Sequence, residues 1–90
     1  MTVPFYEHRR EPRHPAQGAV RIWWADPQPV QVEGRLIDVS ENGFRMAHQY
    51  FALRAGQPVE FAHAIAKGKA RTVWTRITEE GVQSGFVVVS

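Results

Sequence analysis

The feature that most constrains what this chain can fold into is alternation with a period of two. In AVRIWWA, residues 19–25, Val20, Ile22 and Trp24 fall on one face of an extended strand, with Arg21 and Trp23 on the other. After a DPQP turn, residues 30–39 form a second strand in which Gly34 is the candidate bulge, and residues 43–47 form a third. Val59 and Phe61 lie on one side of a fourth. Residues 71–76 make a fifth, joined to the fourth through AKGK as a tight hairpin, and TEEG leads into a sixth over residues 82–89. Only HQYFALRAG, residues 48–56, carries a helical hint, too short for more than two turns and ended by Gly56. Short strands at near-regular spacing predict an all-β fold, a six-stranded antiparallel β-barrel, because closure removes the edges that a small open sheet exposes.

A chain of 90 residues is one small domain, burying roughly 60% of the surface its unfolded form exposes. The absence of cysteine excludes disulfides and thiolate metal sites, which suits a reducing cytoplasm. His8, His14, His48 and His63 lack the spacings that put two imidazoles on one metal within an element, so no metal and no cofactor is expected. No apolar run nears the ~20 residues of a membrane span, and the N-terminus lacks a signal-peptide core. The expectation is a soluble, cytoplasmic protein without membrane insertion. Net charge is only +2, yet nine of the eleven basic residues are arginine, whose planar donors fit phosphates and guanine edges.

Residues 1–15 carry three prolines and the charge cluster EHRREPRH without apolar periodicity, and read as a flexible N-terminal arm before a barrel over residues 16–90. Arg9, Arg10 and Arg13 stand within five residues there. A solvated tail accounts for them, and so does an anionic partner. A second constellation, DVSENG at residues 38–43, interrupts the strand pattern. Asp38, Ser40 and Gly43 serve a turn, with Gly43 supplying positive φ, or they present a carboxylate, a hydroxyl and an approachable backbone at one strand end.

Taken together, Arg9-Arg10-Glu11-Pro12-Arg13 and Asp38-Val39-Ser40-Glu41-Asn42-Gly43 resemble the RxxxR and [D/N]xSxxG signatures of the PilZ domain family, the bacterial receptors for cyclic di-GMP. AGQPVEF, TVW and SGFVVV are similar to the family's later strands, so the resemblance spans residues 9–89. It implies that Arg9 and Arg13 grip guanine edges and phosphates, and that Arg10 adds a stacking or phosphate contact. It further implies that Asp38 and Ser40 bond the guanine edge and the phosphate side, with Gly43 turning the backbone beside them. Guanine does offer O6 and N7 to an arginine, and N1 and N2 donors to a carboxylate. Trp74 reads first as a core residue, because its neighbours alternate like a buried strand; at the barrel rim it could stack on a base. Unlike many family members, the chain ends at VVVS without a long C-terminal helix.

The function expected is a non-catalytic receptor whose arm folds over cyclic di-GMP and whose output is contact with a downstream protein. The alternative is a ligand-independent adaptor in motility, exopolysaccharide or biofilm control. A nucleic-acid-binding barrel using the arginines with Trp23, Trp24 or Trp74 is disfavoured by the modest charge and by the lack of a basic stripe along the strands. No nucleophile elbow, paired-carboxylate pattern or metal motif supports an enzyme.

Overall fold

The computed structural model describes residues 12–89, so Arg9 and Arg10 lie outside the described residues. Within them the chain forms strands and no helix: β1 (His14–Pro15), β2 (Ala19–Ala25), β3 (Pro29–Ser40), β4 (Gly43–His48), β5 (Pro58–His63), β6 (Lys67–Thr78) and β7 (Gly81–Val88). All pairings are antiparallel. β3, β2, β5, β6, β7 and β4 follow one another around the wall, and β3–β4 pairing closes the expected six-stranded barrel. β1 is an additional strand, set against the far end of β3 with His14 opposite Val39 and Pro15 opposite Asp38.

Strand β3 makes closure possible by changing partner along its length. Its first part pairs with β2 as far as Arg35, and from Arg35 onward it pairs with β4. Gly34 sits at this change, where a Cβ would collide with the Ala47 carbonyl oxygen. The glycine therefore marks a close backbone approach at a corner, while the register with β2 runs through it without a break. The bulge expected there lies instead between Leu36 and Asp38, and a second one falls in β6 between Thr72 and Trp74.

Inward-facing residues fill the barrel. Phe44 stacks on Phe86 with centroids 4.8 Å apart and packs on Phe61 at the same distance, among Val20, Ile22, Leu36 and Met46. Of residues 48–56, His48 ends β4 and the rest form turns and loop, because this segment must cross from β4 to β5. Leu53 drops into the core, Gly56 at φ +90 donates its N–H to the Thr72 carbonyl, and Gln57 accepts the Thr72 N–H in return. These anchors to β6 replace helical hydrogen bonds. The β5–β6 hairpin also shifts: Ala62 pairs with Lys67, so the turn lies at residues 64–66, and the His63 ring accepts the Ile65 and Ala66 N–H groups.

One polar chain crosses the interior. The Tyr50 N–H donates to His48 Nδ1 at 3.0 Å, which leaves Nε2 as the donor to Ser84 Oγ at 2.8 Å, and Ser84 lies 2.7 Å from Thr75 Oγ1. Burial holds the His48 and His63 pKa values below the usual imidazole range. The native state then binds fewer protons than the unfolded chain below about pH 6.5, so stability is full above that pH and falls as pH drops toward the lowered values. Denaturant titrations between pH 7.5 and 5 should show this loss, and His48→Gln should flatten the slope only partly, because His63 contributes with the same sign.

Candidate functional site

The two bulges decide which way the polar residues face. Leu36 points inward; in unbroken alternation Asp38, two residues on, would share its face. With the bulge, Asp38 stands opposite Arg45 on the outer surface of the barrel. In β6, Thr72 points inward and the bulge at Val73 likewise turns Trp74 outward, opposite Gly85. Because Arg45 also pairs with Gly85, one continuous cross-strand row runs Asp38, Arg45, Gly85, Trp74 over four strands. Trp74 is thus a half-buried surface residue rather than the core residue that plain alternation predicts.

Electrostatics concentrate at the Asp38 end. Asp38 is 6% exposed. Arg45 Nε donates to Oδ1 at 3.0 Å and to Oδ2 at 2.9 Å, and Arg45 Nη2 reaches Oδ2 as well. Arg13, entering from the segment before β1, donates from Nε to Oδ1 at 3.0 Å and from Nη1 to Ser40 Oγ at 3.4 Å. The Arg45 hydrogen bonds pull the Asp38 pKa below the usual carboxylate range; burial opposes this and Arg13 assists it. Each guanidinium carries five N–H donors, more than one carboxylate can accept, so the surplus remains for an anion.

Small residues shape the floor. A Cβ on Gly43 would strike the Phe86 carbonyl oxygen, and φ at Gly43 lies outside the left-handed region, so this glycine permits close strand approach and does not supply a positive-φ turn. Ser40 Oγ donates to the Gly43 carbonyl at 3.5 Å, which fixes the hairpin end. At Gly85 a Cβ would come within 2.5 Å of Trp74 Nε1, so the indole rests on bare backbone. The Arg76 guanidinium stands 4.8 Å from the centre of the Trp74 ring, a cation–π distance.

The resulting cavity, about 330 Å³, is lined by Arg13, Arg45, Trp74, Arg76 and the Phe44–Gly85–Phe86 backbone region. A larger trough of about 430 Å³ lies alongside, but its lining mixes Glu33 and Glu80 with Arg35 and gives an anion less reason to settle. Of the expected site residues, Arg13, Asp38, Ser40, Gly43 and Trp74 lie on or beside the outward row. Arg45 and Arg76 join them unannounced. Arg45 was legible in principle: a two-residue turn at residues 41–42 places it directly opposite Asp38 as an opposite-charge pair. Among the described residues no cluster of histidines and carboxylates could hold a metal ion, and no helix is long and apolar enough to cross a membrane. No protein-family model matches the chain, and no significant relative is found among curated proteins.

Two outcomes follow from this geometry. Asp38→Asn should lower stability at pH 7 by about 1–2 kcal/mol, a charge-assisted contact discounted because both arginines are about one-third exposed. A lowered folded pKa means that this contribution is complete above the unfolded value near 3.8 and disappears as pH falls through the folded one, so the gap between the two proteins should narrow as pH is taken below 3.8 in urea titrations. Gly85→Val should force Trp74 off its seat and alter the near-ultraviolet circular dichroism of the indole, with a stability loss of about 1–3 kcal/mol.

Proposed function

We propose that this protein is a non-catalytic receptor for cyclic di-GMP, a PilZ-like barrel whose bound state is read by a second protein. The observation that carries this reading is the outward row itself: a buried carboxylate holding two guanidiniums, continued across a glycine to an indole. Cyclic di-GMP brings two phosphates and two guanines, and the row offers charge for the former and a stacking partner for the latter.

Roles follow from the contacts. Asp38 spends both oxygens on Arg45 and Arg13, so its main work is to hold the two guanidiniums in place before ligand arrives, which lowers the entropy lost on binding. Arg13 and Arg45 then grip phosphate or the O6 and N7 edge of guanine. Ser40 steadies Arg13, and Gly43 lets β4 lie close to β7. Trp74, backed by Arg76, receives a base. The cavity is at the low end of small-molecule sites, so part of a cyclic dinucleotide would lie outside it, where Arg9 and Arg10 of the arm would complete the grip. Ordering that arm over the ligand would convert a small molecule into a new surface for the partner.

Isothermal titration with cyclic di-GMP, with GTP and cyclic di-AMP as controls, tests the reading. Saturable, selective binding at one or two nucleotides per chain is expected, and Arg13→Ala or Arg45→Ala should each weaken it by at least ~1.5 kcal/mol, roughly tenfold. No heat at ~100 μM protein, together with an unshifted melting temperature in ligand excess, would overturn the receptor and leave the ligand-independent adaptor.

A further inference from the structure

The sequence counts against nucleic acid partly because it shows no basic stripe along a strand, and on this point the fold differs. Lys67, Lys69 and Arg71 occupy alternate, exposed positions of β6. The bulge at Val73 then resets the alternation, so that Trp74 and Arg76 continue on the same outward face. All four basic residues are exposed, and among the described residues the ion pairs belong to Asp38, not to them. Arg71 donates to the Gly56 carbonyl, which positions its charge without neutralising it. Glu60 faces Lys69 across the ladder but forms no ion pair with it. The small net charge therefore conceals a segregated one: β6 carries cations without a single carboxylate from Lys67 to Thr78.

Spacing adds to charge. Alternate strand residues repeat at ~6.6–6.8 Å, and the distance from Lys67 to Arg76 is about 30 Å, enough for several nucleotides of an extended strand. At one end stands the indole–guanidinium pair of Trp74 and Arg76, a flat platform beside the cavity. Single-strand binders combine these two parts, a cationic path for the backbone and an aromatic or guanidinium plane for the bases. An acidic peptide would use the cations and leave the platform idle.

We propose that the outward face of β6, from Lys67 to Arg76, is a binding track for single-stranded nucleic acid, with Trp74 and Arg76 as its base-stacking end. The proposal rests on β6 and its charges and does not require the cyclic di-GMP reading, although both ligands would meet at Trp74.

Fluorescence anisotropy of a labelled oligothymidylate, titrated with the full chain at several salt concentrations, tests it. Saturable binding is expected, with a log–log salt slope near −3 for four phosphate contacts at ~0.7 each. Lys67→Glu combined with Lys69→Glu should weaken the oligonucleotide at least ~tenfold while leaving any calorimetric response to cyclic di-GMP unchanged, because neither lysine lines the cavity. Trp74→Ala should weaken it by a similar factor, the scale of one lost stack. Three results would overturn the track: no saturable binding at ~100 μM protein in low salt, affinity unaffected by the double lysine reversal, or equal binding of inorganic polyphosphate of matched charge, which would make β6 a face for acidic partners instead. Oligonucleotide binding without any response to cyclic di-GMP would remove the receptor reading and leave the track standing.

Discussion

Closure of the ring through β3–β4 pairing is the constraint on which the rest of the molecule depends. A small open sheet would expose edges, and β3 bridges the gap by bending and exchanging one neighbour for another. That bend needs a residue without a side chain where β3 meets the Ala47 carbonyl, which is why Gly34 stands there. Once β3 lies against β4, Asp38 meets Arg45, Arg45 meets Gly85, and Gly85 meets Trp74. The outward row is thus a by-product of the same pairing that seals the core.

Energetically the two sides of the wall behave differently. Inside, three phenylalanines and a belt of aliphatic side chains gain by leaving water, and His48 and Ser84 are tied to Thr75, whereas the buried Thr72 hydroxyl has no hydrogen-bond partner. Outside, Asp38 is nearly as buried as the core but has two cations for company. A carboxylate that deep is tolerable only with its oxygens satisfied, so either arginine lost leaves a desolvated charge behind. Holding guanidiniums still at the surface is the kind of arrangement that favours an anion later over flexibility now.

The strands were largely legible because burial imposes a period of two, and five of the expected site residues do lie together. What escaped was whatever depends on a partner strand. Gly34 reads as a bulge from its own chain, yet its register with β2 is continuous and the irregularity falls at Ile37. Trp74 reads as core for the same reason that β6 reads as a strand, and a single extra residue at Val73 reverses its direction. The hint of helix at residues 48–56 reflects local composition; the tertiary hydrogen bonds between residues 56–57 and Thr72 overrule it. Arg45 and the cations of β6 are ordinary arginines and lysines in a list, and acquire meaning only when the ladder sets them side by side.

Both ends of the outward row stand directly after a bulge, at Ile37 and at Val73. Substitutions at Ile37 or Val73 would change what those residues touch but keep the count, and with it the orientation of Asp38 and Trp74. Loss of either residue altogether would make Asp38 the immediate neighbour of Leu36, or Trp74 that of Thr72, and regular alternation would still turn the carboxylate and the indole outward. For descendants of this chain, then, the surface is inherited through the pairing on the far side of each bulge, which sets the direction of Asp38 and Trp74. A relative that kept the length but lost the bulge, with Ile37 paired opposite Arg45, would carry Asp38 on the inner face opposite Phe44 and have no such row.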